Sequence, residues 1–223
     1  MGKICAIHQP NFLPWLGFFY KISKADTFIV LDNVEISVSS AKAITHRTKI
    51  KTQNGIQYLS IPLLQTNSKL IKDIQIDTNQ SWKRKHLKTI YFAYKKAIGF
   101  DYIYPEIEQF YAIETVSLSE FNLKSIKFVM QLMEIRNELI LASSLNNISS
   151  ERNQRIIDLC KTVDANIYLS GFGAKKYHDE LLFQHQNIKV LYTDFEHPVY
   201  IQQHGAFIEG LSAIDFLFNK EWR

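Results

Sequence analysis

KICAIHQPNFLPWLGFFYKISKADTFIVLDNV, residues 3–34, is the stretch from which the fold is read. Residues 3–7 are a short apolar run that suits a buried strand. Residues 9–14, with two prolines, break it. Residues 15–23 have the length of a two-turn helix, and residues 25–31 form a second apolar strand ending on Asp32. Parallel strands need a crossover connection, and strand, polar loop, helix and strand supply one. In such sheets ligands collect beyond the C-terminal ends of the strands. His8, Gln9, Asn11 and Asp32 fall on that edge, which becomes the expected active face.

The same rhythm returns late in the chain. Residues 139–142, 166–169 and 188–192 read as strands, with a helix near 151–162 and another through Tyr177 and Leu181 between them. This alternation predicts an α/β fold, Rossmann-like, with a mostly parallel sheet and helices on both faces. Between the two halves, Asn54-Gly55 is a hairpin signal joining strands at 44–50 and 56–61. A polar stretch with serines and Ala41-Lys42-Ala43 follows Asp32, and the alternation over 70–76 predicts a further strand. Ser81 is expected to cap a helix reaching about residue 97, closed by Gly99. Residues 100–104, Pro105 and the next few residues read as a connector leading into another short helix, Ser119-x-x-Asn122 as the opening of a long helix, and the tail after His197 as a loop and an amphipathic helix. With no repeat or low-complexity linker, residues 1–223 read as one domain carrying a hairpin-and-helix insertion at roughly 35–115.

With 46% hydrophobic residues the chain can bury a core, which excludes a disordered chain. Its 26 basic and 22 acidic residues leave a charge of +4, too mild to imply a stable nucleic-acid partner. The two cysteines, Cys5 and Cys160, sit in apolar contexts and read as reduced core thiols of a cytoplasmic protein. No run is apolar over the length a transmembrane segment needs.

His8 is the sharpest candidate for acid–base chemistry, since an imidazole at a strand end can take or give a proton near neutral pH. Gln9 and Asn11 can present uncharged amides, and Asp32 can orient an amine or hydroxyl. The turn Ser170-Gly171-Phe172-Gly173 can aim backbone N–H groups at an anion, with Tyr177 on the segment that follows. Arg47 belongs to a basic cluster with Lys49 and Lys51, which alternation puts on one side of a strand, and His86 joins Trp82 and Ile90 on one helix face. These are expected to meet phosphates. His178 with His185, and His197 with His204, are seven apart and match no metal-ligand spacing, so no metal site is expected. No nucleophile elbow is present.

Four segments, IHQPNFLPWLGFFYKISKADTFIVLD, NGIQYLSIP, YLSGFGAKKY and HPVYIQQHGAFIEGLSAIDFLFN, resemble the WbqC-like proteins, in the family's order and across nearly the whole chain. The resemblance carries over to His8, Gln9, Pro10, Trp15, Gly17, Asp32, Arg47, Gly171, Gly173, Ala174, Tyr177, Pro198, Tyr200, Gln202, Ser212, Asp215 and Asn219. Glu35-Ile36-Ser37 departs from the aromatic-then-basic pattern of relatives. The family's members often occur in bacterial gene clusters for surface polysaccharide, including O-antigen, and the resemblance implies a transferase. It also implies substrate-binding roles for Trp15, His197 and Gln202 beside the residues already named. At the level of the fold, the opening resembles the nucleotidyltransferase group, whose HxGH motif sits on the first loop. His8 and Ser170 fill comparable places, but Asn11, Phe12 and Leu13 offer no second histidine.

The expected function is transfer of an acyl or aminoacyl group from an unknown donor onto a nucleotide-linked or phosphorylated sugar in bacterial surface polysaccharide synthesis. His8 and Asp32 are its expected catalytic residues, and no cofactor is named by the sequence. One rival is nucleotidyl transfer with release of pyrophosphate; another is a non-enzymatic nucleic-acid or protein-binding module.

Overall fold

The computed structural model describes residues 2–36, 43–65 and 67–222, so most of the polar stretch after Asp32, with Ser37 of the departing motif, lies outside the described residues. The described chain divides into two compact units. The first comprises residues 1–9, 17–33 and 135–196; the second comprises residues 10–16, 34–134 and 197–223.

The first unit is the parallel α/β sheet expected from the sequence. Its strands are β1 (Ile4–His8), β2 (Thr27–Val30), β5 (Leu139–Leu141), β6 (Ile167–Ser170) and β7 (Lys189–Tyr192). They pair throughout in parallel in the order β5-β2-β1-β6-β7. Renumbered along the sheet's own strands, that order is 3-2-1-4-5, the doubly wound arrangement, and its direction reverses between β1 and β6. Helix α1 (Leu16–Ser23) covers one face, where Phe18 packs on Phe28 with ring centres 5.4 Å apart. On the other face Cys5, Ile7, Ile29 and Tyr168 pack with Ile157, Leu159 and Cys160 of α5 (Arg152–Thr162) and Phe183 of α6 (Glu180–His185). Alternation along a strand explains the division: Cys5 and Ile7 point one way, Ala6 and His8 the other. Cys5 and Cys160 are free and buried, and the Cys5 contact together with burial raises the Cys160 thiol, so it stays protonated.

The second unit holds the expected hairpin, β3 (Arg47–Thr52) with β4 (Gly55–Ser60), turning at Asn54-Gly55 where Gly55 has φ +91°. Helices α2 (Trp82–Tyr94), α3 (Phe100–Ala112), α4 (Leu118–Leu132) and α7 (Ala213–Asn219) pack around it. Three local expectations are corrected here. Residues 70–76 form no strand; Ile71–Asp73 is a single 3-10 turn whose Ile71 and Ile74 are buried, so the apolar alternation served a loop crossing the core. The expected connector at 100–105 is the start of α3, because Pro105 removes only the hydrogen bond to an exposed residue, Asp101. Helix α4 starts two residues before its expected opening: the Ser117 hydroxyl accepts from the Glu120 N–H at 3.3 Å, a serine N-cap.

Candidate functional site

In the first unit the five strands end together, and the C-terminal edge carries His8, Gln9, Asp32, Ser170 and Gly171. His8 pairs in register with Val30, and Ala6 with Leu169, so the ends of β1 and β6 flank the reversal of strand order. There a doubly wound sheet opens a crevice for ligand.

Nδ1 of His8 lies 3.0 Å from the Gln9 carbonyl. A carbonyl only accepts, so Nδ1 carries the hydrogen and Nε2 holds the lone pair. The ring stands edge-on to Phe18 at 5.0 Å. Burial, then the Lys21 charge, lower its pKa to about 4, against the weaker opposing effect of the Gln9 carbonyl. The imidazole is therefore neutral at pH 7.

Lys21 was not singled out in the sequence. It is 5% exposed, and its ammonium donates to the Ile7 carbonyl at 2.7 Å. No described carboxylate faces it, and burial lowers its pKa to about 8. An ammonium has three hydrogens to donate, and this one has a single acceptor among the described residues. Phe18, Lys21 and Ile22 fall at the three- and four-residue spacing of one helix face, so Lys21 lies in an apolar stripe; that was the available signal.

His178, read in the sequence only as a poor metal ligand, is the second addition. Its Nδ1 lies 3.2 Å from the Tyr192 hydroxyl, which itself donates to Glu180 Oε1 at 2.8 Å. Since the phenol's hydrogen is committed to Glu180, Nδ1 of His178 is the donor, and Nε2 is again left with its lone pair. Burial lowers the His178 pKa; Glu180 opposes this, and the charges of Lys21 and Arg152 add to it. Lys21 thus bears electrostatically on both imidazoles of this edge.

Asp32 is 2% exposed, and each carboxylate oxygen accepts from Ser143: Oδ1 from the N–H at 2.9 Å, Oδ2 from the hydroxyl at 2.6 Å. It ties the end of β2 to the end of β5. Its neighbour Asn33 carries a buried Oδ1 with no hydrogen-bond partner. Ser170 is buried, with its hydroxyl near the Gly171 carbonyl at 3.4 Å. Gly171 and Gly173 open a 3-10 segment, Phe172–Tyr177, in place of the expected α-helix, so the aligned dipole of an α-helix start is missing. A side chain added at either glycine would meet only open space. Tyr177 is exposed, with Arg152 and Lys176 each 5.0 Å from its ring centre.

The other sequence-nominated residues lie in the second unit. His86 has both nitrogens engaged, Nδ1 with the Tyr111 hydroxyl and Nε2 with the Ser60 carbonyl, each at 3.1 Å, which leaves it none for a phosphate. Burial lowers its pKa to about 4. Gln202 is likewise spent: its amide donates to the Ile208 carbonyl at 2.8 Å and accepts from the Ile208 N–H at 2.8 Å and from Lys51. Lys51 donates to Gln202 and to the carbonyls of Gly205 and Ala206, so the expected basic row loses it to the interior. His197 is half-buried and stacks on Tyr200 at 6.2 Å. Asn11, Trp15, Arg47, Lys49, Tyr58 and Ser212 share a cavity of about 330 Å³ with Phe12, Pro14 and Ile44.

The sequence pattern of the WbqC-like protein family matches residues 9–223. The chain belongs to the WbqC-like family. A Mycobacterium tuberculosis (strain ATCC 25618 / H37Rv) relative, the uncharacterized protein Rv1507c, is 29% identical over 223 residues, 97% of this chain and 94% of that protein. No solved structure matches the chain. Among the described residues no group of three or more His, Cys, Asp or Glu is placed to hold a metal, and no helix is long and apolar enough to cross a membrane. The WbqC-like match begins at Gln9, one residue past His8 and just before the loop 10–16.

Proposed function

We propose that this WbqC-like protein is a transferase of surface polysaccharide synthesis, moving an acyl or aminoacyl group onto a phosphorylated or nucleotide-linked sugar at the C-terminal edge of its parallel sheet. The observation that supports the reading is Lys21: a buried ammonium whose charge bears on two neutral imidazoles, with one acceptor among the described residues, the Ile7 carbonyl on the strand next to the order reversal. A buried cation is costly without a counter-charge, and a phosphate oxygen would supply both charge and acceptors. Exposed cations near Tyr177 extend the same sign of charge outward.

In the reaction the sugar hydroxyl or amine attacks the acyl carbon and gives its proton to Nε2 of His8. The acyl bond to the donor's leaving group breaks, the pair departs with that group, and an imidazolium returns the proton to it. A phosphate settled against Lys21 would lift the His8 pKa from about 4 toward neutrality, where a base works best. Asp32 holds the rim through Ser143, and Gly171 and Gly173 leave room for the substrate's approach.

Nucleotidyl transfer is the second reading, favoured by the same pairing of His8 and His178 around Lys21, which supplies a second imidazole that the opening loop lacks. A thermal-shift screen of nucleotide sugars, nucleoside triphosphates, acyl-coenzyme A and amino acids tests both, because a ligand of the folded state raises its melting temperature. Stabilisation by nucleotide sugar with an acyl donor supports acyl transfer; pyrophosphate release from a triphosphate supports the second reading. No stabilisation by any phosphorylated compound, or equal stabilisation of Lys21→Met, removes both.

A further inference from the structure

We infer that the cavity of the second unit is a carbohydrate site, built for a single sugar ring that carries an anionic group, carboxylate or phosphate. The inference stands apart from the transfer chemistry proposed for the sheet edge, and it uses different residues.

Three features of the cavity point to that ligand. Asn11 is 3% exposed, lines the cavity, and its Oδ1 has no hydrogen-bond partner. Orphaned buried polar atoms are rare in folded proteins and call for an explanation. The Arg47 guanidinium lies 4.2 Å from the centre of the Tyr58 ring, and among the described residues it has neither a carboxylate nor a hydrogen-bond acceptor. Stacking uses the face of a guanidinium and leaves its N–H edge for an oxyanion. Lys49, across the hairpin from Tyr58, adds a second cation to the same lining. Trp15, 41% exposed, and Tyr58, 46% exposed, give the cavity aromatic walls.

The loop carrying Asn11 and Trp15 is held under strain. Leu13 between them has φ +39°, a conformation that a leucine rarely adopts. Its N–H donates to the Ser125 hydroxyl at 3.2 Å, and its carbonyl accepts from Thr48 at 2.9 Å and Ser212 at 2.8 Å. Strain pinned this firmly fixes the positions of its neighbours and is common at ligand sites.

A sugar suits these features better than a nucleobase. A hydroxyl both donates and accepts, so it satisfies the Asn11 amide in either orientation, whereas a base edge must match one. Arg47 already covers the Tyr58 ring, so two free faces for sandwiching a base are not on offer. The volume of about 330 Å³ lies at the small end of ligand pockets, fitting one ring with its anionic substituent.

The test is titration calorimetry on the full chain with glucuronate, glucose 1-phosphate, glucose, inorganic phosphate and uridine monophosphate. Arg47→Gln and Trp15→Leu, both at accessible positions, are compared with wild type, and circular dichroism checks their fold. Expected is binding of glucuronate or glucose 1-phosphate at least ten times tighter than glucose, weakened tenfold or more by each substitution. The stronger of the two acidic sugars identifies the anion. Binding of inorganic phosphate as tight as that of the sugar phosphate, unmoved by Trp15→Leu, would reduce the cavity to an anion site and overturn the inference. So would tighter binding of uridine monophosphate than of either acidic sugar in a Trp15-dependent manner, insensitivity to both substitutions, or no binding of either acidic sugar.

Discussion

The Lys21 ammonium donates 2.7 Å to the carbonyl of Ile7, the residue before His8, and has no other hydrogen-bond partner among the described residues. Lys51, equally buried, reaches three acceptors. The two lysines are buried alike and differ in how many protein acceptors they meet. Lys51 closes a loop and meets three acceptors; Lys21, on the proposal above, would gain its further acceptors from a bound phosphate.

That difference predicts a pH dependence of stability. The Lys21 pKa falls from 10.5 unfolded to about 8 folded. Between those values the unfolded chain binds the extra proton, so this group makes stability rise with pH from about 8 to 10.5, by on the order of 3 kcal/mol in full. Below pH 8 its contribution is a constant penalty. Lys21→Met should remove the rise and leave the protein at least as stable at pH 7, since an apolar chain replaces an unpaired buried cation. Urea melts of both proteins at pH 7, 9 and 10.5 read this directly. A parallel rise in the variant would mean that Lys21 is not its source.

His8 predicts the opposite end of the scale. Its pKa drops from 6.5 to about 4, so stability falls as pH falls from 6.5 toward 4, where the unfolded chain takes up the proton while the folded ring stays neutral. His86, also lowered to about 4, adds to the same acid limb. NMR titration should show the His8 ring neutral down to about pH 4 in the free protein and titrating higher with a phosphorylated ligand bound. On the substrate found by thermal shift, His8→Ala and His8→Gln should each lower turnover by about 10²–10⁴-fold with the fold intact. Near wild-type turnover in both would take His8 out of the reaction.

Much of the sheet was legible because its strands are short apolar runs separated by helical spacing, and burial on both faces leaves that mark. The hairpin was legible from Asn54-Gly55 alone. The start of helix α3 was hidden by Pro105, a helix breaker by rule, tolerated here where the residue it would bond, Asp101, is exposed. The site was legible in part. His8 and Asp32 follow strands, which any reader of βαβ units would inspect, yet the use made of Asp32 depends on Ser143, 111 residues away. Lys21 resembles a surface charge unless its helix face is counted, and the partners of His178 are fixed only by the pairing of β7 with β6.

Asp32 should prove a structural tie with functional consequences. Asp32→Ala removes both bonds to Ser143, and hydrogen bonds to a charged group contribute about 1.5–3 kcal/mol each. Ser143→Ala removes the hydroxyl bond and keeps the N–H one, so it should cost about half as much. Equal melting temperatures for wild type and Asp32→Ala would show that the carboxylate carries no such tie.

Gly99 is the position in the second unit where backbone contact forbids a side chain. A Cβ there would sit 2.9 Å from the carbonyl oxygens of Leu217, Phe218 and Lys220, and its N–H donates to Phe218 at 2.8 Å. Gly99→Ala should therefore push α7 away from α3 and destabilise by about 1–3 kcal/mol, the usual range for overpacking. A chemical melt with unchanged midpoint would contradict the close approach.

The relay from His178 through Tyr192 to Glu180 makes the last prediction. Tyr192→Phe removes the hydroxyl that receives the Nδ1 hydrogen at 3.2 Å, while the stacked ring, 5.8 Å from the imidazole, is kept. The imidazole then has no oriented acceptor at Nδ1, and the hydrogen is free to move to Nε2, taking away the lone pair there. Nitrogen-15 NMR should show the Nδ1-H tautomer dominating in wild type and a mixture in the variant. Turnover should fall about tenfold or more at unchanged melting temperature, with Glu180→Gln intermediate because a neutral amide oxygen still accepts from Tyr192. If Tyr192→Phe keeps both the tautomer and the rate, His178 is packing against Tyr168 and Phe183 and nothing more, and Lys21 with His8 alone must carry the chemistry of the edge.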